Sequence, residues 1–207
     1  MSNLILKLIE ILKGEDIMNL DDNIFNAFEV VNKTHENVDK LINYCKNIIT
    51  EKDEYVLSSP RFLRWKSDGS YWAWNTNSFI LLFQDADDNE LENEWRDGPV
   101  YILEINLYNP LVYDKPMVVV AKFEYDDIAT WSKGCSPANH FIFYQPLYNF
   151  DYEELEGDFL VTEIDEESKQ RYWGLNRVVC FEVPLTEITG QNAYDIIMGG
   201  FDKLKML

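Results

Sequence analysis

Apolar side chains recur every three or four residues through the first quarter of the chain, which is the spacing of one face of an amphipathic helix. A short stretch of this kind covers residues 3–13, and a much longer one covers residues 22–52, with Asp21 or Asp22 placed to cap its first turn. The pattern therefore predicts that residues 1–57 form a helical N-terminal part. We expect its long helix to lie across the structure that follows.

Beyond the long helix the apolar period shortens to two, as in β-strands, and the apolar segments are bounded by Gly, Pro, Asn and Asp. Strands are predicted at residues 78–84, 100–108, 117–125, 140–147, 158–164 and 177–185. Because no long helical pattern separates these strands, antiparallel pairing is favoured over a parallel sheet. A short closing helix is predicted over residues 191–198, ending at Gly199-Gly200.

Together these elements predict an α+β fold, in which N-terminal helices pack on a mainly antiparallel sheet of five to seven strands and a short C-terminal helix follows. Residues 58–207 would form the sheet part, and with residues 1–57 they would make one compact domain. A length of 207 residues and a hydrophobic content of 46% are sufficient for one core of this kind.

A hairpin is predicted between the long helix and the first of these strands. Asp68-Gly69 is a strong signal for a two-residue turn, and residues 61–76 would pair across it. One face of the hairpin would carry four large apolar side chains, Leu63, Trp65, Trp72 and Trp74. That face either packs on the long helix or lines a groove for a small molecule or peptide.

Polar residues interrupt the later strands at alternate positions, which predicts a sheet with one face in water. Four of these residues are charged and could share that face: Glu104, Lys122, Glu124 and Glu182. They either form Glu–Lys pairs on a solvated surface or, if the face is concave, bring carboxylates close enough for acid–base chemistry.

Cysteine and histidine are sparse in this chain. The three cysteines, Cys45, Cys135 and Cys180, are too few and too scattered for a disulfide framework, which favours a reducing, cytoplasmic environment. Cys135 and His140 could act as nucleophile and base if they touch and if the pKa of the thiol is lowered. Otherwise both are structural residues on a proline-containing loop.

Charge is the most unusual property of the sequence. It holds 37 acidic and 18 basic residues, a formal net charge of −19, which disfavours nucleic acid and membranes as partners and favours basic proteins. Two clusters hold many of the acids: residues 85–97, with Asp85, Asp87, Asp88, Glu90, Glu92 and Glu94, and residues 151–167, with Glu153, Glu154 and Glu156. They are either solvated loops or a docking surface. The first is not an EF-hand calcium loop, because Glu90 and Arg96 stand where that loop needs Gly and a bidentate Glu.

We therefore expect a non-enzymatic interaction protein of the inhibitor, immunity or anti-defence type, acting as a monomer or homodimer without a metal or cofactor. Its acidic loops and exposed aromatic residues would dock a basic protein partner. The alternative is a small hydrolase or small-molecule-binding enzyme that uses the polar sheet face or the pair formed by Cys135 and His140.

Overall fold

The computed structural model describes residues 20–207, so the helix predicted over residues 3–13 lies outside the described part of the chain. The chain divides into two units between Tyr44 and Cys45. One long helix, α1 (Leu20–Lys52), crosses this division and confirms the long helix predicted there. Its first turn carries acidic side chains and its last turn a lysine, an arrangement that suits the helix dipole.

Seven strands form one sheet in the unit that follows Tyr44, and every neighbouring pair is antiparallel. The strands are β1 (Tyr55–Leu57), β2 (Ser78–Asp85), β3 (Val100–Asn106), β4 (Met117–Tyr125), β5 (Glu153–Leu155), β6 (Phe159–Glu163) and β7 (Leu175–Pro184). Across the sheet their order is β1-β2-β3-β4-β7-β6-β5. The other α-helices of the described chain are α2 (His140–Tyr148), α3 (Glu166–Lys169) and α4 (Ala193–Lys205). The predicted α+β class is confirmed.

The central strands are buried on both faces, so the sheet lacks the solvated face that the polar alternation predicts. Every residue of β2 and β3 is buried. One face packs against α2 and the loops around it in the main hydrophobic core. The other face carries α4, whose Phe201 ring has its centre 5.3 Å from the ring centres of Tyr55, Phe83 and Tyr101. The near-continuous apolar runs of these strands are typical of burial on both sides.

Helix α4 runs to Lys205 and passes through Gly199-Gly200, where the sequence pattern wrongly predicts its end. Gly200 serves close packing instead, because a Cβ atom on it would lie 2.7 Å from Cζ of Phe181 on β7. The missing side chain lets the helix approach the sheet. The glycine pair therefore marks a helix–sheet contact rather than a C-cap.

Residues 140–147, predicted as a strand, form helix α2 instead. The helix follows a capped turn in which the Ser136 hydroxyl accepts the Ala138 N–H and the Asn139 side chain accepts the Ser136 N–H. Pro137 fits the first turn because its missing N–H has no partner there in any case. The aromatic residues of this segment favour a strand by composition, but the capped turn and the core contacts stabilise a helix.

The predicted hairpin over residues 61–76 is not formed. Leu63 pairs instead with Ile80 of β2, and its side chain is fully buried in the core. The residues predicted to return along the hairpin include Tyr71–Ala73, which form a 3-10 turn. An isolated two-stranded hairpin is only marginally stable, so pairing with the long strand β2 is the better way to bury this segment.

Candidate functional site

Loops at one end of the sheet are much more acidic than loops at the other. Three segments lie at the end where β2 finishes and β3 begins, and we call them the acidic end: residues 86–99, 126–135 and 163–174. They hold twelve acidic and four basic residues, a net charge of −8. The segments at the opposite end, residues 64–77, 107–116, 156–158 and 185–192, hold five acidic and three basic residues, a net charge of −2. Charge in this unit is therefore asymmetric along the strand direction.

Hydrogen bonds join the first two segments of the acidic end. The Asn93 side chain donates to the carbonyls of Ile128 and Trp131, at 2.8 and 3.1 Å. The buried indole of Trp95 donates to the Ser132 carbonyl at 3.2 Å. These bonds hold the two loops in a fixed arrangement over a tryptophan cluster, since the rings of Trp95 and Trp131 pack edge to face with centres 4.9 Å apart.

The second and third segments are joined in the same way. The indole of Trp131 donates to the Trp173 carbonyl at 3.0 Å, and the Asp126 N–H donates to the Gly174 carbonyl at 2.9 Å. The rings of Trp131 and Trp173 lie edge to face, 5.0 Å apart. A surface built from bonded loops is preorganised, so it loses little conformational entropy when it binds a partner.

The first predicted acidic cluster lies partly in this surface, but not all of its carboxylates are available. Asp85 is buried and accepts a hydrogen bond from Lys205. Burial alone would raise the pKa of Asp85, but hydrogen bonds, that from Lys205 foremost, outweigh it and hold the pKa below its ordinary value. Desolvation and the neighbouring charge of Asp85 raise the pKa of the half-buried Asp88. The exposed members are Asp87, Glu90, Glu92 and Glu94.

The other predicted acidic residues, Glu153, Glu154 and Glu156, lie on the β5–β6 hairpin at the outer edge of the sheet. The turn of this hairpin is at the end opposite the acidic end. Acidic side chains on an edge strand hinder pairing with another chain, which is sufficient reason for their presence.

The aromatic residues predicted for docking also lie away from the acidic end. Trp65 and Trp74 are exposed, at 42% and 68%. Trp72 lies in the 3-10 turn just before Trp74, and this segment leads into the start of β2. The structure thus separates the acidic loops and the tryptophans that the sequence analysis placed in one docking surface.

A cavity of about 430 Å³ opens in the acidic end, and none of its lining residues was predicted from the sequence. Its lining includes Asp126, Asp127, Trp131, Gln170 and Trp173. The available signal was an aspartate pair after a predicted strand and tryptophans in two separate loops. No spacing rule brings such loops together, because their meeting depends on the pairing of β4 with β7.

Glu104 and Glu182 lie on the sheet face that carries α2, but only Glu182 is exposed. The Glu104 carboxylate is completely buried and accepts hydrogen bonds from Ser78 at 2.8 Å, Tyr148 at 2.5 Å and Asn106 at 3.2 Å. Desolvation raises the pKa of Glu104 to about 7, although the hydrogen bonds act in the opposite direction.

His140 borders the same buried carboxylate, because its Nε2 atom lies 3.2 Å from the Ser78 hydroxyl. Its ring stacks on Tyr144, and burial lowers the pKa of His140 to about 4. The Nδ1 atom of His140 is buried and has no hydrogen-bond partner in the described part of the chain. Ser78 stands between the carboxylate and the imidazole, whereas a catalytic triad needs the histidine in the middle.

Cys135 has the wrong surroundings for a nucleophile. Its thiol lies 3.7 Å from the Ser136 carbonyl and 3.8 Å from the Asn139 side chain. Desolvation raises the pKa of Cys135 to about 12, whereas a thiolate nucleophile needs a lowered pKa. The structure therefore gives no support to catalysis by Cys135 with His140.

Lys122 and Glu124 lie on the opposite face from Glu104 and Glu182, so the prediction that all four share a surface is wrong. The register pairs Val119 with both glutamates, and Lys122, three residues further along β4, faces the other way. Lys122 is buried there and forms an ion pair with Glu124 at 2.7 Å. The expected Glu–Lys pairing exists, but it lies within one strand.

A second cavity, of about 540 Å³, is lined by residues 107–116 at the opposite end. Its lining does not include Glu104 or His140. The same loop presents Leu111, which is 94% exposed.

No helix within residues 20–207 is long and apolar enough to cross a membrane. Over the same residues, no group of three or more His, Cys, Asp or Glu side chains is placed to hold a metal ion. Comparison with known proteins gives no match to a family model, to a curated protein or to a solved structure.

Proposed function

We propose that this chain is a non-enzymatic interaction protein that docks a basic protein partner through its acidic end. The observation that carries the proposal is the joining of three acidic segments, with a net charge of −8, into one hydrogen-bonded surface. These bonds satisfy the buried indole N–H groups of Trp95 and Trp131, and they also fix the loops relative to each other. An inhibitor, immunity or anti-defence protein would use such a surface to cover basic residues of its target.

The physical basis is electrostatic complementarity on a fixed framework. Charged patches of opposite sign speed association and select the partner, and the effect weakens as salt screens the charges. Because buried Trp95 and Trp131 support the loops, the backbone that carries the exposed carboxylates is fixed before binding. The partner would therefore carry a cluster of Lys and Arg on a surface of similar extent.

The enzyme alternative has less support. Glu104 has the raised pKa of a candidate acid or base, but its carboxylate is completely buried. Neither of the two cavities described above includes Glu104 or His140 in its lining. Access of a substrate is a condition for catalysis, and nothing in the geometry of this group provides it.

Charge reversal at the acidic end tests the proposal. The double variant Glu90→Lys with Glu92→Lys is expected to weaken partner binding about tenfold at low salt, because it removes half of the net charge of this end. The matched control is Glu154→Lys with Glu156→Lys, which changes the total charge equally but on the edge hairpin. Full-length wild type and both variants serve in parallel as baits in extract of the native cells, at low and high salt, with recovered proteins quantified by mass spectrometry.

Support requires one basic protein that wild type and the control recover at low salt, that the Glu90/Glu92 variant loses, and that high salt releases. Equal loss from both variants would show that only total charge matters and would contradict docking at the acidic end. Failure of wild type to recover any basic protein at low salt would also contradict it.

A further inference from the structure

The cavity of about 430 Å³ in the acidic end combines aromatic and acidic residues in its lining. Trp131 and Trp173 line it together with Asp126 and Asp127. Aromatic faces and carboxylates both attract cations, the former through the ring quadrupole and the latter through charge.

The aromatic part of the cavity is held rigidly. Trp131 is 8% exposed, and its indole N–H is fixed by the Trp173 carbonyl at 3.0 Å. Trp173 has φ of 60°, in the left-handed region that an aromatic residue rarely adopts. The next residue, Gly174, also has a positive φ, and its N–H donates to the Lys169 carbonyl at 2.8 Å. The bond from the Trp131 indole and the bond from the Gly174 N–H therefore hold Trp173 in this unfavourable conformation at the cavity.

The carboxylates are placed but not neutralised by these bonds. Asp127 accepts the Ala129 N–H at 3.1 Å through Oδ1, and Asp126 accepts the Asn176 side-chain amide at 2.5 Å through Oδ1. Both partners are uncharged, so neither hydrogen bond brings a cation to these carboxylates. Lys169 is close enough to feel the charge of Asp126, but its ammonium group is hydrogen-bonded to Glu166 at 2.5 Å.

We propose that this cavity binds the guanidinium group of an arginine side chain, and that it is the specific contact within the proposed docking surface. The inference rests on the proposed function, because the arginine would belong to the basic partner. A guanidinium is planar, stacks on indole rings and hydrogen-bonds carboxylates through several N–H groups at once. The cavity offers both contacts on a framework that is already formed.

Titration of the full-length protein with a small arginine derivative tests the cavity without the partner. The probe is N-acetyl-arginine amide, and the control probe is N-acetyl-citrulline amide, which has nearly the same shape but no charge. Binding is followed by the indole N–H signals in two-dimensional NMR, assigned by single Trp→Phe substitutions. We expect a Kd on the order of 1 mM for the arginine probe. The citrulline probe should bind at least about tenfold more weakly, and the signals of Trp131 and Trp173 should move most.

The double variant Asp126→Asn with Asp127→Asn isolates the carboxylates. Asparagine can still accept the backbone and amide bonds at both positions, so the fold is expected to persist, and the NMR spectrum itself reports this. Arginine binding should weaken about tenfold in this variant. The matched control, Asp165→Asn, removes charge from the cap of the neighbouring helix α3 outside the cavity and should leave binding unchanged.

Equal binding of the arginine and citrulline probes, or arginine binding that survives loss of both carboxylates, would overturn this inference. The docking proposal has a separate test in the Glu90/Glu92 charge reversal, whose residues do not line the cavity. If the Glu90/Glu92 variant loses the partner as expected but the cavity does not bind arginine, the proposed function stands and only the arginine contact is rejected.

Discussion

The difference in free energy of unfolding between the variant Glu104→Gln and wild type is expected to change by about 3 kcal/mol, in favour of the variant, as the pH increases from 4.5 to 7. The cause is the buried carboxyl group, whose pKa desolvation raises from an ordinary 4.5 to about 7. Between these two pH values the folded chain keeps a proton on Glu104 that the unfolded chain releases. The wild-type protein therefore loses stability as the pH rises. Glutamine has no proton to lose, and the difference between the two pKa values converts to the stated free energy.

The contribution of His140 to stability is expected to change with pH in the opposite direction. Burial lowers its pKa from 6.5 to about 4, so between these values the unfolded chain holds a proton that the folded chain lacks. The wild-type histidine therefore adds stability as the pH rises from 4 to 6.5. In the variant His140→Gln, stability relative to wild type should fall by about 3 kcal/mol over that range.

The two groups nearly compensate each other in the wild type. Between pH 4.5 and 6.5 each state binds one proton at this pair, on Glu104 when folded and on His140 when unfolded, so the pair contributes almost no pH dependence. Urea unfolding at half-unit pH steps from 4 to 8, followed by far-ultraviolet circular dichroism, measures the three profiles. Profiles of Glu104→Gln and His140→Gln that run parallel to wild type would rule out this account of the buried pair.

Gly200→Ala is expected to destabilise the fold by about 1–3 kcal/mol, through overpacking between α4 and the sheet. The added Cβ would lie 2.7 Å from Cζ of Phe181 and 3.3 Å from Cγ1 of Val120. The Phe181 ring cannot move freely, because it packs edge to face against Phe159 with ring centres 5.6 Å apart. The helix must therefore shift outward, and the core beneath it loses contacts.

Gly199→Ala is the matched control, because nothing lies within 4 Å of the position its Cβ would take. Alanine is the better helix former, so this variant should be more stable than wild type by about 0.5–1 kcal/mol. Thermal unfolding separates the two neighbours, since about 1 kcal/mol shifts the midpoint of a chain of this size by about 2–4 °C. Shifts of the same sign for both variants would contradict the packing role of Gly200.

The positions of the strands were largely predictable from the sequence. Which residues of neighbouring strands lie on the same face of the sheet was not. The segment 117–125 was predicted as a strand with the bounds that β4 has. Which of its residues lie beside Glu104 depends on the register, which pairs Glu104 with Val119. A shift of one residue would have placed the other parity on that face, and the sequence of one strand alone does not specify its register with another.

Sequence alternation also could not distinguish a solvated polar residue from a buried one with partners. Glu104 and Lys122 occupy alternating polar positions that suggest contact with water. The structure buries both and supplies partners from elsewhere: Tyr148 on α2 donates to Glu104, and Glu124 pairs with Lys122. Helix α2 was itself predicted as a strand, so the contact between Tyr148 and Glu104 could not be predicted.

The acidic character of the candidate site was predictable from composition, but its location was not. Residues 85–97 and 151–167 appear as two clusters of one kind in the sequence. Antiparallel pairing sends the loop after β2 to one end of the sheet and the turn after β5 to the other. The contribution of Trp173 depends on a left-handed backbone conformation and on hydrogen bonds to distant loops, which local sequence patterns do not indicate.

The unequal charge of the two ends of the sheet, −8 against −2, gives the unit formed by residues 45–207 an electric dipole moment along its strands. In the field of an approaching cationic protein, such a molecule rotates before contact, so that its loops of residues 86–99 and 126–135 face the partner first. This orientation acts over about 30 Å in dilute buffer but only about 8 Å at physiological ionic strength. In concentrated salt the two proteins would meet in random orientations, and few encounters would present the right surface.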